Sequence, residues 1–215
     1  HEVPSLIYRN GSICVNPRAP VVPLDNLPWY PYDRIDVSRY VGRSYLGDRV
    51  LSHNSSFGCP FACNFCAVVE LARRRWAPES AERLASIVKY LQDNYRIDGL
   101  EFHDMDFFVS ESRTAERIAP LGIRWWGLGR VDTLMGYGDE TWEWMRRSGA
   151  KMIFMGAESG SDETLKRMNK GGRSGTEMTL ALVERMKHYG IVPELSFVLG
   201  NPPDPQADVE ATVAF

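Results

Sequence analysis

The sequence has no uninterrupted apolar run near the roughly 18 residues that a membrane-spanning helix needs. Nor does its opening, His1-Glu2-Val3-Pro4, pair a basic segment with an apolar one. The expectation is a soluble, unexported protein of the cytoplasm with no transmembrane segment. An excess of positive charge is missing too: 25 lysines and arginines against 28 aspartates and glutamates give a net charge of -3. No global field draws nucleic acid or an anionic membrane, and neither is expected as a partner. The single basic run, Arg73-Arg74-Arg75, reads as a solvated loop or helix end. Cysteine is scarce, and four thiols cannot staple 215 residues, so a disulfide scaffold is excluded. What is present, 44% hydrophobic and 25% charged residues, excludes a disordered chain and suffices for one substantial core.

Residues 1–45 are proline-rich, without a sustained period, and read as an extended connector. Residues 46–215 alternate between two patterns. Short apolar runs at Arg49 to Ser52, Gly99 to Phe102, Ile123 to Leu128, Met152 to Ala157 and Glu194 to Leu199 predict five buried strands. Between them lie helical stretches. Leu84, Ile87, Val88 and Leu91 form the stripe of a helix starting near Pro78, and Asp139 is placed to cap one that stops at Gly149. Ser174-x-x-Glu177 reads as a capping box for another, which stops at Gly190. Such alternation implies parallel strands with right-handed crossovers, as a barrel or an open sheet. A polar set follows every strand and would gather on one rim, which favours the barrel, because barrel enzymes work at that rim. The opening looks like a loop and the close, Ala211 to Phe215, stops inside a helical pattern, so the chain is expected to be part of a longer protein.

Three of the four cysteines fall within eight positions, in Cys59-Pro60-Phe61-Ala62-Cys63-Asn64-Phe65-Cys66. One reading is a structural zinc site completed by His53, in a binding module. A redox dithiol at Cys63 and Cys66 leaves Cys59 unexplained. A four-iron cluster would take Cys14 as a fourth ligand, as in an electron carrier, or leave one iron open for chemistry. Cys14 lies in an apolar setting, Ser12 to Val15, that suits a buried inert thiol.

The Cys-x3-Cys-x2-Cys spacing with Phe65 before the last cysteine resembles the cluster loop of the radical S-adenosylmethionine superfamily. The likeness continues through Phe102-His103-Asp104-Met105-Asp106-Phe107, Arg130-Val131-Asp132 and Gly149-Ala150 to Gly156-Ala157-Glu158-Ser159-Gly160-Ser161. Beyond these come Leu165, Met168, Lys170-Gly171 and Gly200-Asn201-Pro202, preceded in the connector by Asp25-Asn26-Leu27-Pro28 and Tyr32-Asp33. That order is similar to the subgroup commonly carrying an N-terminal cobalamin-binding domain, of which this chain shows no Asp-x-His-x-x-Gly stretch.

The resemblance implies an α/β fold, a partial TIM-like (β/α)6 barrel with about five of its six units present. It implies an enzyme whose Cys59, Cys63 and Cys66 hold a [4Fe-4S] cluster and which reductively cleaves S-adenosylmethionine to a 5′-deoxyadenosyl radical. Phe65 and Val198 would lie at the adenine, Asp104 would receive the ammonium, Arg130 the carboxylate, and Glu158 with Ser159 the ribose hydroxyls. Met105 stands where the subgroup often has a second aspartate, and Asp104 is preferred to Asp106. The parent protein is expected to use cobalamin as a methyltransferase or cyclase, with a flavodoxin or ferredoxin as reductant and a substrate the sequence does not identify. Plainer readings stand beside these roles. Asp104 can cap a helix, Arg130 and Asp132 can form a local ion pair, His103 can be a packed histidine or a substrate contact, and the tryptophan pairs can be core. A carboxylate placed like Glu158, at the end of an apolar run, needs a partner.

Overall fold

The parity of side chains along each apolar run decides which face packs and which is left to line a site. A computed structural model describes residues 2–20, 22–170 and 175–215. It opens with an antiparallel hairpin, β1 (Ile7–Asn10) and β2 (Ser12–Val15), turned at Gly11, whose φ of 71° only glycine adopts cheaply. Three short 3-10 turns follow, at Leu24–Asn26, Tyr32–Arg34 and Val37–Tyr40. The described part of this proline-rich stretch thus holds a hairpin and three turns, which the sequence did not signal because four-residue strands are too short to show a period.

Next come β3 (Gly42–Ser44) and its antiparallel neighbour β4 (Gly47–His53). A small antiparallel pair, β5 (Ser56–Gly58) and β6 (Trp76–Pro78), brackets the cysteines and α1 (Val68–Ala72). The remainder runs α2 (Ala81–Tyr95), β7 (Gly99–Phe102), α3 (Glu111–Ile118), β8 (Arg124–Arg130), α4 (Val131–Met135) and α5 (Asp139–Ser148). It ends with β9 (Ala150–Glu158), α6 (Asp162–Arg167), α7 (Thr176–His188), β10 (Val192–Phe197) and α8 (Pro205–Ala214). Strand order is β10-β9-β8-β7-β4-β3, and the four pairings from β4 to β10 are all parallel. The result is a curled half-barrel of α/β type. Its sixth strand is the antiparallel edge β3, so the barrel proper has the five parallel strands expected.

Leu100 and Phe102 of β7, Trp125 of β8, and Ile153 and Met155 of β9 pack against Leu84, Ile87 and Leu91 of α2 and Leu182 and Met186 of α7. Each such side chain contributes about 1.5–3 kcal/mol by leaving water. The alternate residues, Glu101, Trp126 and Phe154, stay outside this core and face the concave side. The tryptophan pairs split accordingly: Trp125 and Trp142 are fully buried, while Trp126 holds Glu194 through its Nε1 at 2.8 Å and Trp144 is exposed.

Helix ends follow local chemistry with one correction. Ser80 caps α2, its hydroxyl accepting from the Arg83 amide at 3.2 Å. Asp139 does not cap α5. Gly138 takes that place, and Asp139 enters the first turn, where its carboxylate accepts from Arg185 of α7 at 2.6 Å. Gly175 stands at the cap position of α7, and Ser174 of the expected capping box lies outside the described residues. Gly190, at φ 67°, does end α7, and the Ile191 amide reaches back to the Met186 carbonyl at 2.9 Å.

Candidate functional site

Beyond the C-terminal ends of β7 to β10 lies a cavity of about 180 Å³. The loop after β5 supplies Cys59, Cys63, Cys66 and Phe65; Met105 and Asp106 come from beyond β7, and Leu128, Gly129 and Arg130 from β8. Phe154, Gly156 and Glu158 of β9, Ser196 of β10 and Lys170 beyond α6 complete it. All three thiols are free. Burial pushes the Cys59 thiol up, partly offset by a hydrogen bond from the Phe61 backbone, while Cys63 accepts from Arg130 Nη1 at 2.9 Å. Cys14 sits on the hairpin instead, half-buried, with no place on this wall.

The cysteine loop is tied across the mouth of the sheet. The Asn64 amide donates to the Met168 carbonyl at 3.2 Å, the Asn64 side chain to the Arg167 carbonyl, and the Asn169 side chain to the Ala62 carbonyl at 3.3 Å. Phe65 is exposed at the lip, shared with an adjoining cleft of about 250 Å³ that also holds Asn64, Met168, Asn201 and Pro202.

Asp104 is not at the cavity, contrary to the expectation. Just past the end of β7, Asp104 is buried, and the Ser55 amide donates to it at 3.1 Å while the Ser55 and Ser56 hydroxyls also donate. Arg117 of α3 pairs with it at 3.2 Å, both side chains being almost wholly buried. Asp104 does not cap α3 either, since Ser110 occupies that position. Asp106 is the aspartate that reaches the wall. One of its oxygens accepts from the Phe108 amide at 2.9 Å, and the other, Oδ2, is buried without a partner among the described residues. Burial, only partly countered by that amide and by Arg130, pushes its carboxyl up to about 7.

Glu158 does reach the cavity, and its expected partner is Lys170, whose Nζ lies 2.6 Å from Oε1 and also bonds the Gly156 carbonyl. Glu158 holds φ at 66°, a left-handed conformation that costs a non-glycine residue about 1–3 kcal/mol. A Cβ at Gly156 would collide with this ion pair, which explains the glycine. Ser159 turns away from the cavity, donating to Asp208 of α8 at 2.9 Å. Val198 is exposed and off the cavity wall, its amide bonded to the Glu158 carbonyl at 2.8 Å. Arg130 does pair with Asp132, through Nε at 3.0 Å and Nη2 at 2.8 Å. His103 stands half-exposed on the concave side against the Trp126 ring, with centroids 5.2 Å apart.

Sequence reasoning missed Arg117. Its signal was present, because it shares a helix face with buried Thr114 and Ile118, a place where arginine needs a partner.

His53 decides between the metal readings. Its Nε2 lies 3.0 Å from Glu79 Oε2 and its ring meets Phe102 and Tyr30, away from the cysteine cavity, so it completes no zinc site. Among the described residues no three His, Cys, Asp or Glu side chains converge on a single ion. Three soft thiols lining one cavity, with Asp106 in the same wall, are instead a donor set of the kind that suits an iron-sulfur cluster.

Residues 53–215 match the family model of the radical SAM superfamily. The chain belongs to the radical SAM superfamily. This radical SAM chain is 28% identical over 212 residues to an uncharacterized methyltransferase of Pyrococcus horikoshii, covering 96% of the chain and 44% of the relative. It is 25% identical over 163 residues to the bacteriochlorophyllide d C-12(1)-methyltransferase of Chlorobaculum tepidum, covering 74% and 35%. The chain thus spans less than half of either relative. Among solved structures it resembles the cobalamin-dependent S-adenosylmethionine radical enzyme OxsB with aqua-cobalamin bound, at TM-score 0.75 and 21% identity over 99% of the chain and 32% of OxsB. It also resembles the methyltransferase TsrM of Kitasatospora setae with cobalamin and a [4Fe-4S] cluster bound, at TM-score 0.74 and 17% identity over 99% of the chain and 44% of TsrM. At those identities the likeness speaks for the fold of this radical SAM core.

Proposed function

We propose that Cys59, Cys63 and Cys66 hold a [4Fe-4S] cluster, that S-adenosylmethionine binds in the cavity beside it, and that the parent enzyme transfers a methyl group with cobalamin. When bound, the cluster supplies the electron that splits a carbon-sulfur bond of S-adenosylmethionine and yields a 5′-deoxyadenosyl radical; a flavodoxin or ferredoxin is the matching class of donor. The observation that carries this reading is that three thiols line one cavity together with Asp106, one of whose oxygens has no partner among the described residues.

The chain's own residues then divide the work. The open Asp106 carboxyl replaces Asp104 as acceptor for the ammonium of S-adenosylmethionine. Glu158, fixed by Lys170, accepts ribose hydroxyls, and Phe65 at the lip offers a face to the adenine. Leu128 and Phe154 keep the wall apolar, which limits water around a reactive radical. Methyl transfer is favoured because both relatives are methyltransferases and TsrM holds cobalamin as well as a cluster.

The test is electron paramagnetic resonance of the anaerobically reconstituted, reduced protein with and without S-adenosylmethionine. A four-iron signal that changes shape on adding it, and is lost in Cys63→Ala but retained in Cys14→Ala, is the expected result. Zinc in place of iron, or a signal indifferent to S-adenosylmethionine, overturns the proposal.

A further inference from the structure

The guanidinium of Arg130 is almost fully committed. Nε and Nη2 hold the two oxygens of Asp132 at 3.0 and 2.8 Å, and Nη2 also donates to the Lys170 carbonyl at 2.6 Å. Nη1 donates to Cys63 Sγ at 2.9 Å, and the group lies over the Phe61 ring, Cζ 4.1 Å from its centroid. Of the five N–H groups an arginine owns, four are used here, and the fifth shares a nitrogen with the sulfur bond. A two-pronged grip on a second carboxylate needs two parallel N–H groups, which Arg130 offers only by releasing Asp132 or the Lys170 carbonyl. Both contacts on the cysteine loop, sulfur and ring, belong to the arginine instead.

We infer that Arg130 is a positioning residue that fixes Cys63 and raises the reduction potential of the thiolate-held cluster, and is not the receptor for the carboxylate of S-adenosylmethionine. The inference rests on the proposed cluster. One electron from a low-potential reductant adds one negative charge there, with no bond made or broken. A cation against a ligating sulfur favours the state carrying that extra charge, and hydrogen bonds to sulfur are among the recognised controls of such potentials. Arg130 and Cys63 are 7% and 8% exposed, so water and salt screen the interaction little. Asp132 opposes the effect by offsetting the arginine charge, and the two side chains therefore act with opposite sign.

The experiment is a potentiometric titration of the reconstituted full-length protein, followed by electron paramagnetic resonance, beside calorimetry with S-adenosylmethionine. Arg130→Met is expected to shift the equilibrium toward the oxidised form about tenfold, about 59 mV for one electron, at unchanged S-adenosylmethionine affinity. Asp132→Asn is expected to shift it the other way. An unchanged potential with weakened S-adenosylmethionine binding in Arg130→Met overturns the inference and returns the arginine to the carboxylate. If Arg130→Met takes up no iron, Asp132→Asn decides alone, and a potential that stays or falls overturns the inference. Absence of any cluster in the unsubstituted protein defeats the proposed function instead, so the two failures are distinct.

Discussion

Asp106 spends stability to keep an acceptor open. Its carboxyl is removed from water, which disfavours the charged form, and the Phe108 amide serves only one of its two oxygens. An unfolded aspartate titrates near 3.9 and the folded one is held up at about 7. The neutral form therefore folds without penalty below about pH 4, and stability is lost as pH rises from there toward 7. Asp106→Asn removes the titration. Urea unfolding should show no gain from the substitution at about pH 4 and a gain of up to about 4 kcal/mol at about pH 8. A gain equal at both values would mean that Asp106 does not titrate in this window. A residue that weakens the fold while lining a cavity with one oxygen unsatisfied among the described residues is a mark of a site shaped for a ligand. The sequence pattern could not distinguish it from Asp104, because the period of β7 ends at Phe102 and a turn sets the aspartates beyond it. Arg130 and Asp132, by contrast, were already adjacent enough in sequence for their pairing to be weighed.

At the scale of elements, α8 is docked by one carboxylate. Asp208 Oδ2 accepts from the amides of Gly200 and Asn201 and from the Asn201 side chain, each at 3.0 Å, while Oδ1 takes the Ser159 hydroxyl at 2.9 Å. Burial alone would raise this carboxyl, but the hydrogen bonds, Asn201 foremost, hold it down at about 2. A folded value below the unfolded one means stability that is present above about pH 4 and lost as pH falls toward 2. Gly160 lets the helix approach, since a Cβ there would strike the Ala211 carbonyl and Phe215. Asp208→Asn turns one acceptor into a donor facing donors, and should cost about 2 kcal/mol in urea unfolding at neutral pH, less as the medium approaches pH 3. Equal loss at both would place the effect in packing. This explains why Ser159 and Gly200-Asn201 resembled site residues in the sequence yet serve architecture: they join β9, the loop after β10 and α8. The five strands were legible to within about two residues because their apolar parity is local. The hairpin of β1 and β2 was not, since four-residue strands are too short to show a period, and for Arg117 the helix face signalled burial without naming Asp104 as the partner.

For the whole molecule, an open half-barrel leaves its functional loops on a rim with few neighbours, and the structure answers with a strap. Cysteines from the first parallel unit are held to the segment after β9 by Asn64 and Asn169, which bond backbone carbonyls more than 100 positions away in sequence. The curl of the sheet lets the loop after β5 meet the segment at the end of α6, so the fold, once read from the alternation, also accounts for a site assembled from segments about 100 residues apart. Neither asparagine carried a signal in the sequence, because a side chain reaching a distant backbone leaves no spacing to read. Both bonds lie at the exposed surface, where water can replace them, so their loss should change global stability by less than about 1 kcal/mol. The effect should appear locally, as freer opening of the loop. Asn64→Ala combined with Asn169→Ala is therefore expected to unfold at nearly the same urea concentration as the unsubstituted protein, yet to lose iron several-fold faster to a chelator. Unchanged iron release would show that the thiols, Arg130, Phe61 and the Asn64 backbone amide suffice to keep the loop closed, and that the two asparagine side chains have no part in holding the centre.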